Sequence, residues 1–157
     1  MSASELRRLT PTAVPLHPPD EWECGLQLSN VPRAARVARA AFRTALDGLR
    51  PPREVADTAE LLTGELVGNA VRHAEGQVCV RARVREGVLR ISVRDEHPDL
   101  PGPVPVTFDD AHGRGLLLVE RLARAWGRYA LLSGAVGGRV VGKVVWCELD
   151  CSTTRTS

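Results

Sequence analysis

The chain has 157 residues, of which 43% are apolar and 25% are charged, and these values are typical of one globular domain with a hydrophobic core. Its 21 basic and 19 acidic residues give a net charge of +2, so it lacks the strongly basic field that drives binding to nucleic-acid phosphates. No apolar run approaches the roughly 20 residues that span a bilayer, and the first residues lack the apolar stretch of a signal peptide. We therefore expect a soluble cytoplasmic protein.

The N-terminal part combines a loose arm, a short strand and a helix. Residues 1–20 are rich in proline, serine and threonine without hydrophobic periodicity, which predicts a flexible arm. Residues 22–28 are predicted to form a first strand. Asn30 as an N-cap and Pro32 close to the first helical position predict a helix that extends to Leu49, because apolar residues recur there every three to four positions. The arginines of this helix fall largely outside the apolar face, which indicates a solvated surface or, alternatively, a surface for a protein partner.

A second helix is predicted from the proline pair at 51–52 to Gly76, which is placed for a left-handed cap. Within it Glu65, Asn69 and His73 lie four residues apart, so each advances only about 40° around the axis and the three form one polar stripe beside the apolar face. Two interpretations stay open. The stripe is an internal hydrogen-bond network or a solvent-facing edge, or it binds a hydrated Mg²⁺, which takes one or two protein oxygens in addition to substrate phosphates.

A β-hairpin is predicted next, with strands over 77–85 and 88–95 joined by an E-G turn. Apolar residues occupy one face of both strands and arginines occupy much of the other, so helices are expected to cover only the apolar face. Counting by twos from Leu89 places Asp95 on the covered face, at the end of an apolar row. The alternative is that the strand has already ended and Asp95 is a turn residue.

The third helix follows a long loop. Residues 96–112 contain four prolines and no periodic pattern, and a loop of this length in a compact domain is usually functional or disordered. It leads into Gly113-Arg114-Gly115 and an apolar helix from Leu116 to Trp126. Glycines that open a helix let backbone N–H groups approach an anion, although such glycines more often only form a turn.

The chain closes with strands over 128–133 and 140–149, joined by a glycine-rich turn. The faces on which Lys143 and Trp146 lie stay undecided, because both alternating sets of the last strand contain apolar residues. The elements together predict an α+β domain in which helices cover one face of a sheet.

Three segments carry a resemblance to a known superfamily. The helix sequence E-L-V-G-N-A-V-R-H-A, the inward Asp95, and G-R-G-L at the start of a helix resemble, in this order and spacing, the GHKL ATPases and kinases. The short length and the closing G-K-V-V-W strand are most similar to the bacterial anti-sigma-factor serine/threonine kinase branch. The resemblance covers roughly Trp22 to Leu149. It implies the histidine kinase-like, or Bergerat, fold: a two-layer α/β sandwich whose mostly antiparallel mixed sheet is covered by helices on one face. The predicted division is an arm at 1–20, an ATP-binding domain at 21–150 and a frayed tail at 151–157.

The resemblance also implies ATP and Mg²⁺ as cofactors and gives individual residues a role. Asn69 would ligate the Mg²⁺ that bridges the ATP phosphates, and Glu65 would be the general base that takes the proton from the attacking hydroxyl. Asp95 would accept a hydrogen bond from the adenine amino group. Residues 96–112 would form a lid over the nucleotide. The phosphates would be bound at the glycine box, which consists of Gly113, Arg114, Gly115 and Leu116.

Two positions depart from the pattern of the superfamily. Its members commonly have Asp-x-Gly-x-Gly after the second hairpin strand, whereas this chain continues from Asp95 with E-H-P-D. The missing glycine is expected to weaken the close approach of backbone and nucleotide. A threonine near the adenine in the last strand is replaced by Val144, so a polar contact or a bridging water is expected to be lost.

Three functions follow from these observations. The leading hypothesis is a serine/threonine protein kinase that phosphorylates an antagonist protein and alternately binds a sigma factor, as a homodimer by resemblance and without nucleic acid or membrane. The second is a nucleotide-binding switch that sequesters a partner without phosphoryl transfer. The altered aspartate motif favours it, and the presence of Glu65 and Asn69 opposes it. The third is a two-layer α/β domain that binds no nucleotide.

Overall fold

The computed structural model describes residues 21–73, 76–96, 113–134 and 138–151. Within these ranges, five strands form one sheet in the order β1-β2-β3-β5-β4, and every neighbouring pair is antiparallel. The strands are β1 (Glu21–Leu28), β2 (Val78–Arg85), β3 (Val88–Asp95), β4 (Ala125–Leu132) and β5 (Val140–Asp150), and the helices are α1 (Ala34–Asp47), α2 (Arg53–His73) and α3 (Gly113–Leu122). The two-layer α+β fold is confirmed. The predicted arm, most of the predicted lid and all but the first residue of the predicted tail lie outside the described residues.

The hydrophobic core lies between the helices and one face of the sheet. Alternate residues of β2 and β3 face the helices, as the sequence pattern predicts. The fully buried side chains of both layers include Phe42, Leu62, Leu66, Val67, Val78, Val80, Leu89, Ile91, Val93 and Val119. Each large apolar side chain that is removed from water contributes about 1.5–3 kcal/mol, so this one cluster holds the two layers together.

The β2–β3 turn fixes the register of the hairpin. Glu86 and Gly87 both have positive φ, at 51° and 74°, which is the geometry of the two-residue turn whose twist matches paired strands. Arg85 therefore pairs with Val88, and every later pair follows from that one. A shift of one residue would move all the apolar side chains to the wrong face.

The predicted beginning of α1 is wrong. Asn30 does not cap the helix, because the chain first makes a separate turn in which the Ala34 N–H donates to the Val31 carbonyl oxygen at 2.9 Å. Arg33 then occupies the N-cap position without a side-chain hydrogen bond. The helix ends at Asp47, two residues before the predicted Leu49.

The second helix begins where the proline pair predicts. The Ala56 N–H donates to the Pro52 carbonyl oxygen at 3.0 Å, so the prolines precede the first helical hydrogen bond. Arg43 connects the two helices, since its Nη1 lies 2.7 Å from Asp57 Oδ1 and 2.9 Å from Glu60 Oε2. The predicted cap at Gly76 involves residues 74 and 75, which lie outside the described residues. No helix in the described part of the chain is long and apolar enough to cross a membrane.

The predicted end of α3 is also wrong. The helix stops at Leu122, and Trp126 belongs to β4. The chain leaves the helix because the Arg124 N–H donates to the Glu148 carbonyl oxygen at 2.8 Å, which starts the pairing with β5. Trp126 then pairs with Cys147 and packs against the core as a strand residue. The sequence from Leu116 to Trp126 contains no proline or glycine, so the sequence alone does not show where the helix ends.

Candidate functional site

The strand register gathers several predicted site elements at one end of the sheet. Asp95 is the last residue of β3 and pairs with Lys143, near the start of β5. The adjacent strand β2 begins at the same end, since Cys79 pairs with Arg94. Because α2 ends at His73, only four residues before β2 begins, its C-terminal turns also lie at this end.

The first turn of α3 is inferred to lie toward the same end. The chain after this helix starts β4 beside Glu148, which is at the far end of β5 from Lys143. Because a ten-residue helix is about 15 Å long and α3 packs against α2 and β4, we infer that α3 runs back along the sheet with its N-terminus toward the Asp95 end. Gly113, Arg114, Gly115 and Leu116 form the first turn of the helix, where backbone N–H groups have no partner within the helix. Of these residues, Leu116 packs against the core.

Asp95 is buried on the inner face, as its phase in β3 predicts. Only 1% of the residue is exposed, and it follows the apolar row that ends with Val93. Lys143 Nζ lies 3.7 Å from Asp95 Oδ2, and the exposed fractions of the two side chains are 16% and 2%. An unpaired buried carboxylate is costly, so the ammonium group offsets part of that cost. The Asp95 carboxylate is therefore a buried hydrogen-bond acceptor on the helix-covered side of the sheet.

Glu65 and Asn69 lie at the edge of the core. Both are half-buried, beside the buried Leu66 and Ala70, whereas His73 is exposed. The carboxylate and the carboxamide are one helical turn apart on the C-terminal half of α2. A hydrated Mg²⁺ needs one or two such oxygens. The position fits a cation that also contacts phosphates at the N-terminus of α3.

The backbone at this end of the sheet is tightly packed. A Cβ atom added to Gly142 would lie less than 3.0 Å from the Asp95 carbonyl oxygen and 3.3 Å from its carbonyl carbon. A Cβ atom added to Gly76 would lie 2.9 Å from Glu96 Cβ. The Glu96 side chain, one residue after Asp95, thus lies against Gly76 in the α2–β2 connection, whereas the positions of the expected glycines, 97 and 99, lie outside the described residues. At Gly142 the backbone of Asp95 leaves no room for a side chain, whereas at Gly76 the neighbouring atoms belong to the Glu96 side chain.

Val144 does not share a face of the sheet with Asp95. Val144 pairs with Arg94, whose side chain is on the face of the sheet without helices, because residues paired in an antiparallel ladder project to the same side. Lys143 is the residue of β5 that faces Asp95. Sequence reasoning missed it as a site residue, and the one available signal was its chemistry, since it is the only lysine in the chain.

A groove of about 340 Å³ lies elsewhere, between the beginning of α2 and the end of β5. Its wall includes Glu54, Thr58, Arg124 and Asp150. These residues belong to the opposite end of the sheet, and the groove contains none of the predicted nucleotide-binding residues. We therefore place the candidate site at the Asp95 end.

Comparison with protein-family models identifies the class. Residues 28–141 match the histidine kinase-like ATPase domain, which is most of the chain and contains both α2 and the end of β3. The chain belongs to this family and is therefore an ATP-binding protein. Comparison with curated proteins finds no match. The donor and acceptor groups at the Asp95 end fit a nucleotide: a buried carboxylate, two half-buried oxygen-bearing side chains and the N-terminus of a helix.

Proposed function

We propose that the protein is a regulatory serine/threonine kinase of the anti-sigma-factor type. It uses ATP and Mg²⁺ to phosphorylate an antagonist protein and alternately binds a sigma factor. The observation that carries the proposal is the buried acid at the tip of β3, at the same end of the sheet as the Glu65–Asn69 edge and the first turn of α3. The same arrangement supports binding of a base at one wall and of phosphates at the other.

The side chains divide the chemistry among them. Asp95 accepts a hydrogen bond from the amino group of the base, and the backbone N–H groups of Gly113 and Gly115 face the phosphates with the favourable end of the helix dipole. Asn69 offers its amide oxygen to the cation. When bound, Mg²⁺ neutralises negative charge on the phosphates. Phosphoryl transfer needs mainly positioning and charge stabilisation, so a small domain can perform it.

Glu65 is the proposed general base. Its carboxylate takes the proton of the attacking serine or threonine hydroxyl, as the hydroxyl oxygen bonds to the γ-phosphorus and the bond from that phosphorus to the bridging oxygen breaks. ADP leaves with the electrons of the broken bond. A base that is half-buried, rather than solvated, is exposed to less competing water.

A second candidate is a nucleotide-binding switch that sequesters its partner without transfer. The sequence after Asp95 favours it, because E-H-P-D stands where the related pattern has glycines at the second and fourth positions. The two candidates agree on ATP binding and differ in turnover.

The test combines binding with transfer. We expect calorimetric titration with ATP and Mg²⁺ to give one site, and γ-labelled ATP to give phosphoserine or phosphothreonine on a purified antagonist protein. Glu65→Gln should keep ATP affinity within about threefold and lower the transfer rate at least 100-fold. Glu54→Gln, which removes an exposed carboxylate from the first turn of the same helix, is the matched control and should keep the wild-type rate.

Each alternative outcome has a distinct meaning. Binding without transfer to any partner would select the switch. An unchanged transfer rate in Glu65→Gln would contradict the role of this carboxylate. No binding at millimolar ATP would overturn the proposal as a whole.

A further inference from the structure

We propose that Lys143 is a second base-binding residue, and that its ammonium group donates a hydrogen bond to the ring nitrogen N1 beside the adenine amino group that Asp95 binds. This inference rests on the proposed ATP site and extends it to the selection of the base. The resulting pair offers one acceptor and one donor, side by side. The corresponding edge of adenine offers one donor and one acceptor.

The first support is the strand register. Asp95 and Lys143 are directly paired across the β3–β5 ladder, so both side chains project to the helix-covered side of the sheet. The next pair inward is Val93 with Val145, and both are buried. Asp95 and Lys143 are thus the first polar pair beyond the buried apolar residues of the two strands, so they are the paired groups on this side of the sheet that a ligand at its end would meet.

The second support is the state of the two groups. Their charged atoms are 3.7 Å apart, and the exposed fraction is 16% for the lysine side chain and 2% for the aspartate side chain, so the lysine is the more accessible member of the pair. An ammonium group has three N–H donors, and a carboxylate has two accepting oxygens. One N–H directed at Asp95 leaves the ammonium group able to donate to a ligand as well. The compact ammonium suits a single ring nitrogen better than the planar fork of arginine does.

This pairing also predicts the base that is rejected. Guanine in the same position would place its carbonyl oxygen against the carboxylate of Asp95 and its N1–H against the ammonium of Lys143. Both contacts would be unfavourable, because acceptor meets acceptor and donor meets donor. Selection of adenine over guanine therefore follows from the order of the two charged groups along the base edge.

A purely structural role for Lys143, as a counter-ion that keeps Asp95 in place, predicts a different result. Nucleotide analogues separate the two roles, because each analogue removes one atom of the base. The probes are ATP, 1-deaza-ATP, which replaces N1 by a C–H group, and purine riboside triphosphate, which lacks the amino group. The structural role predicts that replacing N1 has no effect that depends on the lysine.

The experiment measures the affinity of each nucleotide by calorimetry for the full chain and for Lys143→Met. We expect the wild-type protein to bind ATP about 10- to 100-fold more tightly than 1-deaza-ATP, the range for one hydrogen bond to a charged group. In Lys143→Met the ratio should fall to about one, while preference for ATP over purine riboside triphosphate remains. Arg83→Met, on the open face of the sheet, removes the same charge and should keep the wild-type ratio.

Either of two results would refute the inference. If it binds ATP and 1-deaza-ATP equally, or if Lys143→Met keeps the full ratio, the role of Lys143 is wrong while the ATP site stands. If the wild-type protein binds neither nucleotide, the proposed function fails first. Thermal unfolding of each variant without nucleotide checks the fold. If Lys143→Met does not fold, Lys143→Gln replaces it, and a weaker dependence on N1 is expected because the charge is lost.

Discussion

Substitution of Gly142 by alanine tests the packing on which the candidate site depends. The added methyl would lie less than 3.0 Å from the Asp95 carbonyl oxygen, a distance that a real Cβ atom does not tolerate. The strand β3 cannot move away, because it is hydrogen-bonded to β2 on its other side. The clash must therefore open the β3–β5 ladder at its end.

The magnitude follows from two destabilising contributions and one stabilising contribution. Overpacking of a rigid site costs about 1–3 kcal/mol, and each weakened ladder hydrogen bond adds about 1 kcal/mol. Alanine also makes the unfolded chain less flexible than glycine does, which favours the folded state by up to about 1 kcal/mol. We expect Gly142→Ala to lower the free energy of unfolding by about 2–4 kcal/mol and the midpoint of thermal unfolding by roughly 6–15 °C. ATP affinity should fall as well, because Asp95 is displaced.

The assay is calorimetric thermal unfolding, with Gly25→Ala as the matched control. Gly25 lies in the edge strand β1, and a Cβ atom there would be 3.9 Å from its nearest neighbour, the Val80 carbonyl oxygen. This control should change the midpoint by at most about 4 °C, in the stabilising direction. A midpoint for Gly142→Ala within 2 °C of the wild type would refute the reasoning, since the start of β5 would then not be held against Asp95.

Two further predictions concern α2 and the core. A Cβ atom at Gly68 would meet nothing within 4 Å, whereas one at Gly64 would lie 2.6 Å from Arg39 Cδ. Gly68→Ala should therefore raise stability by about 0.5–1 kcal/mol in thermal unfolding, whereas Gly64→Ala should gain less, because the exposed Arg39 side chain must first move away; a lower stability of Gly68→Ala would contradict the reasoning. In the core, burial and then the charge of Glu148 raise the pKa of Cys147 to about 12. The unfolded chain loses this proton first, so above about pH 8.5 this thiol lowers stability by up to about 1.4 kcal/mol per pH unit as the pH approaches 12. The measurement is the free energy of unfolding in urea at pH 8 and pH 10.5. The difference in this free energy between wild type and Cys147→Ala should be smaller at pH 10.5. An equal loss of stability in the two proteins would show that the thiol is not responsible.

The hairpin and its acid could be predicted from sequence because one face of these strands is apolar and the other charged. Strict alternation fixes which residues are buried, and counting from Leu89 was sufficient to turn Asp95 inward. The polar stripe of α2 was equally accessible, since Glu65 and Asn69 repeat at the helical period. In both cases a local pattern determines the direction of each side chain.

The last strand could not be assigned in this way. Both faces of β5 carry apolar residues, because Val145 and Cys147 face the core while Trp146 is covered on the open face. The Arg90 guanidinium lies 4.1 Å from the centroid of the Trp146 ring, and such contacts are long-range in sequence. The pairing of β5 with β3 determines the side of the sheet on which Lys143 lies. A local sequence pattern does not contain this information.

The placement of Asp95 also bears on how the site moves. Its strand is central, with hydrogen-bonded neighbours on both sides along nearly its whole length, whereas β1 and β4 are the edge strands of the sheet that the described residues form. Amide hydrogens of central strands exchange only through the largest openings of a domain. Asp95, the proposed base-binding acid, lies at the tip of this strand, one residue beyond the last β2 pair, so it is attached to the slowest-exchanging part of the sheet and shares the fraying of a strand end only at its own position.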